Sequence, residues 1–360
     1  MRRRLLQAGA GLAVSGVAVW LTFRGKNLAD VWSAIREADY RYLAVFVVCW
    51  VGIHLARTAR WGLLLEPVAK VPFARLNAAS SVGWMALTIL PFRLGEFARP
   101  YLVADPPRLR VSAALSSVVV ERVADGIFTA LLLAACLFAV PSGSPGVGLL
   151  RTAGTIVSAA FVGALAFLVI AYHSRAATIR VLERLVRPVS PRVAARLGST
   201  LGAFIAGLQL VPSPRKIGRF ALLTAVYWTL NGWSMALLAR GFGMQLDFLQ
   251  ATTLLGVVVI GVMIPAGPGM VGTFQSAVLL GLRLYFPGAV VARQGFAYAN
   301  VMWATQVVFQ VGLGFIFLFS RHIRLAAVLG ASAEVTHELE EESHLTTPTP
   351  VQARGQVERG

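Results

Sequence analysis

Apolar runs of about twenty residues recur along this chain, and arginine collects in the loops between them. A helix of that length crosses the hydrocarbon core of a bilayer, and a helix is one of only two structures that leave no backbone polar group unpaired there. The pattern therefore predicts an all-α polytopic membrane protein. Composition agrees: 57% of the 360 residues are hydrophobic and 14% are charged, where a soluble domain carries about a quarter charged. The net charge of +17 does not point to nucleic acid, because the basic residues lie in the loops, where they set orientation and attract anionic headgroups.

Full spans are predicted at 5–23, 42–65, 112–140, 150–172, 220–239 and 290–320. The arginines at 2–4 and the run behind them have the form of a signal peptide. The run continues through Trp20 and Phe23 without a small-residue cleavage site, so it is read as an uncleaved first span. Two stretches do not fit a span. The run 77–90 covers only ~21 Å and ends at Pro91, with 94–104 as its returning arm. The runs 251–264 and 271–286 flank the turn PAGPG at 265–269. Both read as re-entrant helical hairpins, at about 77–104 and 251–286. The alternative is eight ordinary spans with the short ones tilted.

Orientation follows from lysine and arginine. The segment 173–219 carries Arg175, Arg180, Arg184, Arg187, Arg192, Arg196, Arg215, Lys216 and Arg219 against Glu183, whereas the loop 141–149 carries no charge. The first must be cytoplasmic and the second external. Both termini are then cytoplasmic, and the chain divides into two repeats, 1–140 and 141–322, each span, span, hairpin, span, in opposite orientation. Inverted repeats with broken helices are a transporter architecture. Cytoplasmic amphipathic helices are expected at about 174–211, and an acidic, disordered tail at 323–360. Cys49 and Cys136 fall inside spans and the five histidines lack ligand spacing, so neither disulfide, metal nor cofactor is expected.

Charge inside an apolar segment must face protein, water or a ligand. Arg93, Glu96 and Arg99 follow the Pro91 break, where freed backbone groups and forked guanidiniums suit a phosphate or carboxylate. They could equally pair with each other or snorkel. Glu121, Arg122 and Asp125 lie ~14–20 Å along their span, as proton carriers, as orienters of an arginine, or as an ion-pair staple. In the second span Arg60, ~27 Å from the outer end, is expected to snorkel to the interface, with Arg57 deeper. Pro265, Gly267, Gly269, Gly272 and Gln275 form the second turn, lining a site or simply packing. No Walker loop, dinucleotide fingerprint or nucleophile elbow is present, so no catalytic residues are assigned.

The segments RTARWGLLL (57–65), LPFRLGEFARPYLV (90–103), VVERVAD (119–125) and IPAGPGMVGTFQ (264–275) resemble the lysylphosphatidylglycerol synthase transmembrane, flippase-like family, over about 5–322. The resemblance implies a two-repeat membrane domain that moves lipids between leaflets of the bacterial inner membrane. Its relatives act on lysyl-phosphatidylglycerol, or are linked to polyprenyl-phosphate sugars, hopanoids or envelope glycolipids. Arg57, Arg60, Arg93, Glu96, Arg99, Glu121, Arg122 and Asp125 match the family pattern. The chain departs from it at Leu87 and Thr88, at Gln275 and at Met302 and Trp303. It ends about 40 residues past its last span, so the soluble aminoacyl-transferase domain of the full synthases is not expected. The expected partners are membrane lipids with a phosphate headgroup. An envelope-biosynthesis enzyme and a second copy are further candidates. An intramembrane lipid-modifying transferase and a non-transporting regulator of an envelope enzyme are the rival functions.

Overall fold

The computed structural model describes residues 28–90, 95–105, 109, 111–139, 147–188, 214–263 and 268–319. They are helical, with no strand among the described residues beyond one isolated bridge between Asp105 and Leu109. In chain order these are α1 (Leu28–Arg36), α2 (Tyr40–Leu65), α3 (Phe73–Ile89), α4 (Ala98–Val103), α5 (Val111–Ala139) and α6 (Val147–His173). There follow α7 (Arg175–Val186), α8 (Pro214–Gly241), α9 (Phe248–Gly261), α10 (Thr273–Leu282) and α11 (Gly288–Leu318). Two of them, α2 and α11, are long and apolar enough to cross a membrane on that count alone. Helices α5, α6 and α8, of 29, 27 and 28 residues, cover three more predicted spans. The predicted span 5–23, most of the amphipathic segment beyond 188 and the tail lie outside the described residues.

Local chemistry sets several of these boundaries. Asp39 opens α2 by accepting the N–H of Arg41 at 3.0 Å. Asp247 and Gln250 form a reciprocal capping box at the start of α9 (2.7 and 3.1 Å), so that helix begins three residues before its apolar run. Helix α3 likewise starts at Phe73, a turn before the predicted 77, and at 17 residues it is ~25 Å long, still short of a bilayer core.

Both short stretches reverse direction. Gly261 of α9 sits beside Ala277 of α10, and Gly281 beside Leu254, which makes an antiparallel hairpin. Gly95 lies against the backbone of Ala86 and Leu87, so the chain after the break runs back along α3. The returning arm is less helical than 94–104 predicts: one 3-10 turn, then only α4. Pro100 leaves it without an N–H donor in its first turn.

Helix α2 packs along α8 at the centre, α3 packs on α11, and α9 packs on α5. The main apolar core joins α2, α8, α9, α10 and α11, around Trp50, Phe46, Met235, Leu254 and Tyr298. A smaller one joins α2, α3, α4 and α5 around Trp61, Leu65, Leu76 and Val118.

A methyl group at Gly95 would overlap the Leu87 backbone nitrogen, and backbone cannot step aside. Gly95→Ala is expected to lower stability by about 2 kcal/mol or more, whereas Gly312→Ala, which meets nothing within 4 Å, should be neutral. Thermal unfolding in detergent compares the two.

Candidate functional site

The charged residues inside the bundle separate into two groups. In the first, Arg60 is fully buried and makes a two-pronged bond to Asp125, Nη1 to Oδ1 at 2.5 Å and Nη2 to Oδ2 at 2.8 Å. Nη2 also donates to Glu121 Oε1 at 3.0 Å. The other Glu121 oxygen accepts from Arg99 Nη2 at 3.1 Å, and Arg122 Nη2 is 3.5 Å from Oε1. Glu121 and Asp125 are one turn apart on α5 and present a pair of carboxylates that the flat guanidinium fork fits. That is why Arg60 does not snorkel as expected: leaving the interior would break both prongs to Asp125 and take one of the three arginines from Glu121. Arg99 reaches Glu121 by laying its stem across Gly83, where a Cβ would overlap Arg99 Cγ.

Arg57 is different. It is 6% exposed, and no carboxylate among the described residues pairs with it. Its Nε has no hydrogen-bond partner among the described residues. Its guanidinium stacks on the Trp84 ring, with Cζ 3.4 Å from the ring centre, while Arg99 and Arg122 stand 5.2 and 5.4 Å from the same ring. Arg57 lines a cavity of about 200 Å³ where α2, α3, α8, α9 and α11 meet, together with Trp50, Trp84, Tyr227, Trp228 and Gln306. The indole N–H groups of Trp50, Trp84 and Trp228 are buried without partners among the described residues. Thr88 donates to Gln310 Oε1 at 2.9 Å across the wall between α3 and α11.

Of the other predicted site residues, Arg93, Pro265 and Gly267 lie outside the described residues. Glu96 stands with Arg99 and Arg122 around a crevice beside Gly83, too narrow for water. Gly269 (φ +69) lines the cavity and its carbonyl accepts the Trp303 indole N–H at 2.7 Å. Gly272 (φ +85) and Gln275 hold the turn instead: Gln275 Oε1 accepts the Gly272 N–H at 2.7 Å, and the Gln275 side chain is not on the cavity wall. His54, buried near Arg57, shares a 2.7 Å hydrogen bond with Asn77 and one of 3.2 Å with Ser81. Trp84, Trp228, Gln306 and Gln310 carry the cavity and were not singled out in the sequence. Gln306 and Gln310, one turn apart in an apolar run, were the available signal.

A sequence model described as lysylphosphatidylglycerol synthase TM region matches residues 9–331. The chain belongs to that family. It is a membrane domain of a family associated with lipid handling. Neither the curated proteins nor the solved structures give a match. No group of side chains suited to a metal ion occurs among the described residues.

Removing one member of a buried ion network leaves its partners charged and unpaired, at a cost of about 3–5 kcal/mol. Arg60→Gln is therefore expected to lower the unfolding temperature sharply. Arg57→Gln, which strands no carboxylate, should cost far less, and Arg75→Gln, which breaks only exposed bonds, to Asp105 at 3.1 Å and to the Ala104 carbonyl at 2.8 Å, less than about 1 kcal/mol. The order Arg60, Arg57, Arg75 in a melting series checks the division into two groups.

Proposed function

We propose that this protein moves a lipid with a phosphate headgroup between the leaflets of the bacterial inner membrane, as a transporter and not as an enzyme. The observation that carries the reading is the Arg57 guanidinium, buried, free of carboxylates among the described residues and set in the wall of an internal cavity. Holding a charge in that state is costly unless something neutralises it, and an anionic headgroup would. The cavity is smaller than the ~300–1,000 Å³ of most ligand pockets, which suits a headgroup whose chains stay in lipid.

The proposed frame is six spans and two re-entrant hairpins in two inverted repeats, with both termini in the cytoplasm. The packing supports it. Exchanging the halves turns α2 into α8, α3 into α9, α4 into α10 and α5 into α11. Under that exchange the α3–α11 contact becomes α9–α5, α2–α3 becomes α8–α9, and α4–α5 becomes α10–α11, all of which occur. In this frame Arg57, ~12 Å from the inner end of α2, and the late residues of α3 and α9 meet near mid-membrane. Rocking of one repeat against the other would open the cavity to each leaflet in turn. With no nucleotide-binding motif, the process runs downhill or on an ion gradient. The transferase alternative loses ground because Glu121 and Asp125 are both held by Arg60.

Proteoliposomes carrying fluorescent phospholipids in the inner leaflet test this. Leaflet exchange above that of empty vesicles is expected for at least one phosphate headgroup. It should fall at least ten-fold in Arg57→Gln and persist in Arg75→Gln. Exchange equal to that of empty vesicles across the headgroups sinks the reading.

A further inference from the structure

Around Trp84 the charges do not cancel. Arg57, Arg60, Arg99 and Arg122 stand against Glu96, Glu121 and Asp125, so among the described residues four guanidiniums meet three carboxylates. The surplus is Arg57, the one that lines the cavity. No carboxylate among the described residues lines that cavity. Its other polar groups are neutral. Gln306 has no hydrogen bond among the described residues. Gln310 receives one at its oxygen, and the Asn231 amide donates to the Tyr227 carbonyl at 2.8 Å, which leaves its own oxygen open.

We propose that the cavity selects a headgroup of a single negative charge, a phosphodiester joined to an uncharged polyol or sugar, and turns away headgroups that add an ammonium. This rests on the headgroup reading above and narrows it. One phosphodiester neutralises Arg57. Its hydroxyls match the neutral amides, and apolar sugar or glycerol faces match the indoles. An ammonium brought in beside it would lie near a fixed guanidinium with no counter-charge. The aromatic walls do not rescue it. The face of Trp84 is taken by Arg57, Trp228 is stacked on Phe128 with ring centres 5.4 Å apart, and Phe46 and Phe309 flank Trp50 at 6.1 and 6.0 Å. What cation–π contact remains returns less than the desolvation of an ammonium takes. Selection thus comes from a missing carboxylate as much as from the arginine present.

The test uses the purified full-length protein in detergent and three short-chain probes: phosphatidylglycerol, phosphatidylethanolamine and the lysine ester of phosphatidylglycerol. Affinity is read from ligand-induced thermal shifts. Phosphatidylglycerol is expected to bind at least ten-fold tighter than either ammonium-bearing lipid, and Arg57→Gln to remove that margin. Gln306→Glu, which adds a carboxylate to the wall with little change of shape, should weaken phosphatidylglycerol and improve the other two. That gain cannot come from misfolding. Equal affinity for the three lipids, a preference for either ammonium-bearing one, or binding of none overturns the inference. The stated preference without leaflet exchange in vesicles upholds charge selection and overturns transport. Exchange of all three at one rate, unaffected by Arg57→Gln, overturns charge selection and leaves transport standing.

Discussion

Everything else in the bundle is arranged around the Arg60 guanidinium and the two carboxylates it grips on α5. Two fully buried ions, Arg60 and Glu121, and a third, Asp125, with little solvent are tolerable only when each is paired and its hydrogen bonds are used, and here the fork-to-carboxylate geometry with Asp125 and the shared Glu121 provide that. The clamp fixes the register of α2 against α5. Through Arg99 it draws in α4, and Thr224 of α8 stands 3.5 Å from Arg60 Nη1. Such a network adds little net stability over an apolar core of the same shape. Its contribution is to hold α2 against α5 in the observed register.

With Arg60 placed, the position of Arg57 is no longer free. Three residues earlier on α2 it emerges beside Trp84, with no carboxylate among the described residues paired to it. An indole holds a guanidinium by about 0.5–2 kcal/mol, enough to keep the stack in one orientation. A carboxylate there would hold it more firmly and would also cancel its charge. Trp84 therefore supports the cation and leaves its charge uncancelled. The same indole separates the cavity from the neutralised cluster, since Arg99 and Arg122 approach it as well.

How much of this was legible in the sequence depended on whether the signal was local. Apolar periods, the Asp39 and Asp247 caps and the two breaks are read within a few residues, and the helices follow them to within one or two turns, α8 departing most with a start six residues early. The charged residues were visible as anomalies in apolar runs. Their partners were not: Arg60 and Asp125 are 65 residues apart, and an arginine near a span end looks identical whether it snorkels or is clamped. Gln275 shows the converse. A polar residue after a glycine turn suggested a site, yet its oxygen is consumed by the Gly272 N–H three residues back, because a helix start on a positive-φ glycine leaves that donor unpaired. The cavity itself was not legible at all. Its tryptophans and glutamines come from α2, α3, α8 and α11, and in a mostly apolar chain each passes singly for ordinary core.

Helix α11 ties the two hairpins to this centre by unlike means from the clamp. Gln310 accepts from Thr88 near the end of α3, and two turns away Trp303 donates to Gly269 at the tip between α9 and α10. Each is a neutral hydrogen bond worth about 0.5–1.5 kcal/mol, and the groups on both sides belong to residues that line the cavity. Breaking the Arg60 clamp costs several times as much. The joints between α11 and the hairpin ends are therefore the ones that give first when the cavity changes shape. The clamp ties α2, and with it the stacked Arg57, to α5. In the proposed transport, a headgroup on Arg57 would keep its anchor while the walls on either side of it rearrange, as passing a charge through the middle of a bilayer without releasing it there would require.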